Sequence, residues 1–160
     1  MTLLAIDPGR AVKASIGWAL FFIDHIDQGS GWVSGEMTWQ ELCANLEREA
    51  GTLWFQTPEG KMVIVHEVVI ENFVNNTRSR GGQTNGTSEV IGAVEILATQ
   101  AGVPFTRQPN TILPVAKLHA GYEQKLKHLP HQDAAYLHGY YYLVSKGALQ
   151  PKGLSSTVDL

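Results

Sequence analysis

Cysteine is almost absent. Cys43 stands alone, so no internal disulfide can form, and a zinc site would have to be assembled from histidines and carboxylates. Long apolar runs are missing as well. The longest, Ile16 to Ile23, falls far short of the ~20 residues a membrane helix needs. The apolar opening Met1 to Ile6 reaches Asp7 before a secretory core of ~7 or more apolar residues is complete. These features predict a cytoplasmic protein with no membrane partner. There is no excess of positive charge: 12 Lys and Arg stand against 15 Asp and Glu, a net −3, which as a total does not mark a nucleic-acid binder. What is present is an ordinary globular balance, 44% hydrophobic and 17% charged over 160 residues. That excludes chain-wide disorder and predicts one domain over 1–149, with a polar, frayed tail at 150–160.

The charge is unevenly spread. Met1 to Val74 carries four basic residues against ten acidic ones, whereas Asn75 to Pro130 carries six basic against three acidic, so a basic middle follows an acidic first half. Thr2 to Ile6 is an apolar run closed by Asp7-Pro8-Gly9, the pattern of a buried strand ending in a turn. Ile16, Trp18, Leu20 and Phe22 recur with period two, and Gly31 to Met37 can return antiparallel, giving three strands in a meander. Thr38-Trp39-Gln40-Glu41 has the form of a capping box. Behind it Trp39, Leu42, Cys43, Leu46, Ala50 and Leu53 keep helical spacing, which predicts one amphipathic helix with Cys43 as a small buried hydrophobe. Lys61 to Glu71 reads as one central strand that again ends at a carboxylate. Asn75 to Gly86 has no large apolar residue and reads as an exposed loop. A helix from Thr87 or Ser88 to Ala101, a strand at Val103 to Thr106, a helix from Pro114 to about Lys127 and a last helix from about His131 to Val144 complete the order. Three antiparallel strands followed by helix-linked strands predict an α/β fold: a mixed five-stranded sheet with helices on both faces.

Asp7 and Glu71 each end an apolar strand, and Asp133 lies in the first turns of the last helix. If the first and fourth strands are parallel neighbours, Asp7 and Glu71 leave the sheet side by side at the carboxyl edge, where α/β sheets place ligands. Adjacent carboxylates in a low-dielectric cleft repel, and a divalent cation is the economical bridge. Three acids can hold two such ions, one activating water and one stabilising a leaving 3′ oxygen. Each acid also has an ordinary reading: Asp7 as a turn former, Glu71 as a strand-end charge, Asp133 as a partner of the helix dipole.

LLAIDPG at Leu3 to Gly9, followed by SIGWAL, resembles the first motif of the RuvC Holliday junction resolvases. VVIENF at Val68 to Phe73 resembles their second carboxylate motif, and DAAYLHGYYYL from Asp133 resembles the helix carrying their last acidic ligands. A weaker likeness covers Pro114, Lys117, Gly121 and Lys125, and SEVIGAVEILATQAGVPF has the tone of the bacteriophage branch. The resemblance implies a ribonuclease H-like fold. It also implies a catalytic and metal-binding set of Asp7, Glu71 and Asp133, served by Mg²⁺, or Mn²⁺ in its place, with two ions per site. Tyr136 stands where the bacterial family often has a second Asp, and tyrosine is a poor ligand at neutral pH. His131 is the candidate replacement if it precedes the first helical turn. On a regular helix His138 lies about 140° and His131 about 160° from Asp133, so neither shares its face.

The function so implied is a metal-dependent, structure-selective DNA endonuclease acting on four-way junctions and other branched DNA. Arg78 and Arg80 would close on phosphates beside the cut, and Lys117 and Lys125 would form a second backbone contact. Phe73 would stack on a base, or else pack in the core. A junction offers two symmetry-related strands, so paired cutting implies a homodimer, with the helix from Ser88 to Ala101 as its interface and no obligatory helicase partner. Two alternatives stand beside this reading: another ribonuclease H-like nuclease acting on RNA-DNA hybrids or flaps, and a junction-binding module without catalysis.

Overall fold

The computed structural model describes residues 1–9, 15–24, 31–72 and 86–152. The main sheet has five strands: β1 (Thr2–Asp7), β2 (Ile16–Phe22), β3 (Trp32–Met37), β7 (Glu67–Asn72) and β8 (Phe105–Pro109), in the order β3-β2-β1-β7-β8. The first three pair antiparallel; β7 joins β1, and β8 joins β7, in parallel. This is the mixed sheet expected from the element order. β1 is central and covered on both faces, which is why its six residues are all buried and the four between Thr2 and Asp7 are apolar.

The two faces bury different partners. Leu4, Ile6, Trp18, Leu20, Val68 and Ile70 point to a core shared with Val90, Ile91, Val94 and Ala98 of helix α2 (Thr87–Gln100). Leu3, Ala5, Ala19, Phe21 and Val69 point the other way. They meet helix α3 (Leu113–Ala120) and helix α4 (His131–Ser145). Helices therefore cover both faces. The small side chains Ala5 and Ala19 let α4 lie close on the sheet, and two glycines let it lie closer still. A Cβ on Gly17 would stand 1.9 Å from the His131 carbonyl oxygen, and one on Gly139 would stand 2.2 Å from the Phe21 ring.

Three sequence expectations need correction. The stripe from Trp39 to Leu53 is not one helix: α1 (Trp39–Asn45) stops, and β4 (Leu46–Glu49), β5 (Thr52–Gln56) and β6 (Met62–Val65) form a second, three-stranded antiparallel sheet. The break is at Ala50 and Gly51, both at positive φ (50° and 76°), the geometry of a two-residue hairpin turn. Beyond it Leu53, Phe55, Val63 and Val65 alternate inward with period two onto the α2 core. Cys43, expected inside, is exposed because only Leu42 of that short helix is buried. Second, Lys61 to Glu71 is two strands. The chain passes from the small sheet to the large one at His66, whose backbone N–H donates to the Thr2 carbonyl while its Nδ1 accepts from the Thr2 N–H. Third, α3 ends at Ala120 and not near Lys127. Gly121 takes φ 63°, and the amides of Gly121 and Tyr122 cap the carbonyls of Leu118 and Lys117, so Lys125 lies beyond the helix.

Of the capping box at Thr38, the hydroxyl half is realised. Its Oγ1 accepts from the Glu41 N–H at 3.1 Å and donates to Glu41 Oε1 at 3.2 Å. Because α1 spans only two turns, this cap matters to it, and Thr38→Ala is expected to cost about 1 kcal/mol in a denaturant melt. No change in the midpoint would show that the second sheet alone holds α1 in place.

Candidate functional site

Side chains alternate along a strand, so Leu3 and Ala5 facing α4 put Asp7 on the same side. The same parity carries Glu67, Val69 and Glu71 of β7 to that side, and Gln108 of β8, paired in register with Glu71, joins them. Asp7 and Glu71 each follow the last residues paired between β1 and β7, Ile6 and Ile70, and so emerge together at the carboxyl edge of a parallel pair.

Helix α4 crosses above them with a polar stripe. His131 and His138 are seven residues apart, about 20° short of two full turns, so they share one face, and Tyr142 continues it. His131 Nδ1 lies 2.7 Å from Asp7 Oδ2. His138 Nε2 lies 3.3 Å from Glu71 Oε2, and Tyr142 donates to Glu67 Oε2 at 2.6 Å. Each carboxylate on this side of the sheet thus meets a side chain of one helix. The helix start is tied to β3 by the His131 N–H, which donates to Glu36 Oε1 at 3.1 Å. The loop after β1 is tied to α2 by Thr87 Oγ1, which donates to the Gly9 carbonyl at 2.9 Å.

Asp7 is 7% exposed. Burial raises its carboxyl pKa above the ordinary 3.8, and the charge of Glu71 raises it further. Hydrogen bonds from His131 and from the Gly9 N–H, the latter at 3.1 Å, oppose the rise without cancelling it.

Asp133 is elsewhere. It projects from α4 about 160° away from His131 and accepts a 2.7 Å hydrogen bond from the Tyr122 hydroxyl, just beyond α3. The Tyr122 hydroxyl is pushed up to about 12 by burial and by this contact with Asp133. Among the described residues no three His, Cys, Asp or Glu side chains are arranged to hold a metal ion. What the structure assembles is two carboxylate–imidazole pairs, Asp7 with His131 and Glu71 with His138. Lys117 lies in the last turn of α3 and Lys125 on the exposed stretch after it. Phe73, Arg78 and Arg80 lie outside the described residues.

Two residues of this arrangement escape a reading of the sequence, His138 and Gln108. Measuring helix angles from Asp133 hides His138; measuring them from His131 would have found it. Gln108 had no signal until its register against Glu71 was known.

Tyr136 is a packing residue. Its ring stacks on Phe21 at 5.7 Å and lies 4.4 Å from Trp32 and 5.8 Å from Tyr140. Burial, with a smaller contribution from Tyr140, pushes its hydroxyl up to about 12. A raised folded-state pKa means stability that is intact below the unfolded value near 10 and lost as pH climbs through 12. Thermal melts between about pH 10 and 12 are expected to fall more steeply for the native protein than for Tyr136→Phe. Parallel curves would show that the hydroxyl does not titrate in the folded state.

The described donors do not form a metal-binding cluster: two carboxylates stand at neighbouring strand ends, and each is already met by an imidazole of α4, Asp7 by His131 and Glu71 by His138. No protein-family model matches the chain, and no curated protein matches it in sequence. Among solved structures it is similar to Thermus thermophilus RuvC, at 16% identity over 94% of this chain and 99% of that one, with a TM-score of 0.45. It is also similar to T. thermophilus RuvC in complex with a Holliday junction substrate, at 13% identity over the same shares, with a TM-score of 0.48. Likeness at this level carries no chemistry across. No helix among the described residues is long and apolar enough to cross a membrane.

Proposed function

We propose that the chain is a metal-dependent, structure-selective DNA endonuclease of the RuvC-like, bacteriophage type, which resolves four-way junctions by hydrolysing a phosphodiester in each of two opposed strands. The observation that supports it best is the adjacency of Asp7 and Glu71 at the carboxyl edge of β1 and β7, where burial and the charge of Glu71 raise the Asp7 pKa. Mg²⁺, with Mn²⁺ as a substitute and two ions per site, would be held by Asp7 and Glu71, with His131 as a further candidate and Asp133 only on release from Tyr122. When bound, the ions supply charge to the phosphate and lower the pKa of water. His131 orients the Asp7 carboxylate through its Nδ1. Lys117 and Lys125 bind the DNA backbone on the α3 side of the site, with Arg78 and Arg80 at the phosphates nearest the cut and Phe73 on a base. Two copies joined through α2 would present two such sites to the symmetric junction; Ile96, 58% exposed on the outer face of α2, suits that contact.

A junction-binding module without catalysis is the second reading. It is favoured by the engagement of Asp133 with Tyr122 and by the lack of a three-ligand cluster among the described residues. Incubation with four-way junction, flap and RNA-DNA hybrid substrates in Mg²⁺ or Mn²⁺ separates the readings. Paired cuts in the junction are expected. Cutting of the hybrid alone would discard resolution, and tight junction binding without cutting in any divalent ion would leave the module. Binding should tighten with Ca²⁺ and weaken steeply with salt, since an acidic chain depends on its basic middle to hold phosphate.

A further inference from the structure

We infer that the exposed ridge of α3, Leu118 with Val115, is an apolar wedge that enters DNA at a branch point and so selects branched over continuous duplex. This rests on the reading of the chain as a junction-acting protein. α3 is seated against α4 by Ala116 and Ala120, both buried. Leu118 stands two residues from each, about 160° round the helix from both, and so points outward. It is 68% exposed, more than any other large hydrophobic side chain among the described residues. Val115, three residues before it on the same side, is 45% exposed, and Pro114 is exposed beside them. Beyond the helix Leu126 is exposed as well, between Lys125 and Lys127. Apolar residues scattered singly on a surface need no explanation, but a ridge of them set among lysines does.

The surroundings point to the occupant. From Leu113 to Pro130 three lysines stand against one acid, Glu123, in a chain whose net charge is −3. Lys117 lies in the last turn of α3, and Lys125 and Lys127 are exposed. The segment is also tied to the rim of the candidate site at both ends. It follows Pro109 through one 3-10 turn (Asn110–Ile112), and Pro109 pairs with Asn72, the neighbour of Glu71. At the other end Tyr122 bonds Asp133, two residues from His131. A polyanion lying at the carboxyl edge therefore continues onto α3. Lysines hold any duplex, because the phosphates of all duplexes are alike. A leucine gains nothing from phosphate, and a continuous stack closes its base faces to it. At a branch the stack is interrupted, so inserting an apolar side chain there costs less unstacking and buries apolar surface on both partners. The ridge thus discriminates where the lysines do not.

The test places 2-aminopurine, whose fluorescence rises on unstacking, at the branch of a four-way junction and at the matching position of a continuous duplex. Each is titrated with the full chain in Ca²⁺. The native chain is expected to brighten the junction and not the duplex. Leu118→Ala should lose most of that rise at saturation and lower the junction-over-duplex affinity ratio about tenfold, the scale of burying the methyl groups removed. Leu118→Met should restore both. Lys117→Ala should instead weaken junction and duplex alike and reduce the salt dependence, with the rise at saturation kept. Should Leu118→Ala fail to fold, Val115→Ala carries the same expectation with a smaller change. A ratio and a fluorescence rise that Leu118→Ala leaves untouched would overturn the wedge while leaving the lysine contacts standing. Equal losses on junction and duplex would overturn it too, as would a change of oligomeric state in sedimentation, which would make the ridge a contact between copies. A native chain with no preference for the junction removes the junction reading itself, and the wedge with it.

Discussion

Asp7→Asn is expected to abolish DNA cleavage and, in metal-free buffer at neutral pH, to raise the melting temperature. The two effects have one cause. Burial and the Glu71 charge hold the Asp7 carboxyl above its ordinary 3.8. A group whose folded-state pKa is raised gives stability that is present below the unfolded value and lost as pH rises through the folded one. The ionised Asp7 therefore costs stability at neutral pH, about 1.4 kcal/mol for each tenfold loss of acidity on folding. Asparagine keeps a side-chain oxygen for the Gly9 N–H and carries no charge. Each kcal/mol recovered should lift the melting temperature by about 2–4 °C in a domain of this size. The native protein should also lose stability as pH rises above the ordinary 3.8 and through the raised folded-state value, a slope that Asp7→Asn flattens. Divalent ions should stabilise the native protein and leave the variant nearly unaffected. Cleavage should fall by roughly a thousandfold or more, the scale on which loss of one charge-stabilising group acts, while junction binding survives. Undiminished cutting would remove Asp7 from the chemistry. A lower melting temperature would mean that the His131 contact outweighs the repulsion.

Gly17→Ala is expected to be the most damaging glycine-to-alanine change among the described residues. The added Cβ would lie 1.9 Å from the His131 carbonyl oxygen, 2.1 Å from its carbon and 2.7 Å from the Gln132 nitrogen. These are backbone atoms, which cannot rotate aside, so the start of α4 must lift from β2. Lifting it takes His131 off Asp7 and breaks the His131 N–H bond to Glu36. Overpacking of this kind costs roughly 3 kcal/mol or more, about 6–12 °C in a thermal melt, and activity should fall further than stability because both histidines move with the helix. Gly92 is the control. It lies within α2, and a Cβ there meets nothing within 4 Å, so Gly92→Ala should raise stability by up to about 1 kcal/mol. Equal melting temperatures for Gly17→Ala and the native protein would show that α4 does not bear on the sheet as closely as described.

Much of this was legible along the chain, and for a local reason. A strand buried on both faces has to read as an apolar run, and a carboxylate that ends such a run marks the sheet edge. Hence Thr2 to Asp7 and the stretch ending at Glu71 announced two strands, and the order of elements announced a mixed sheet with Asp7 and Glu71 together if those strands are parallel neighbours, as β1 and β7 are. Helical spacing alone could not separate α1 from the hairpin behind it, because Leu46 and Leu53 fit the helix stripe that Leu42 begins and also the inner face of a small sheet. The positive φ of Ala50 and Gly51 decides between them, and alanine gives no warning of it. Which side of α4 faces the sheet was decided only in three dimensions. Periodicity gives the angles between side chains on a helix but not its rotation about its own axis. That rotation is set where Gly17 and Gly139 admit the helix backbone and where Phe21 fills the space beside it. Close packing there turns His131 and His138 toward Asp7 and Glu71 and sends Asp133 to Tyr122.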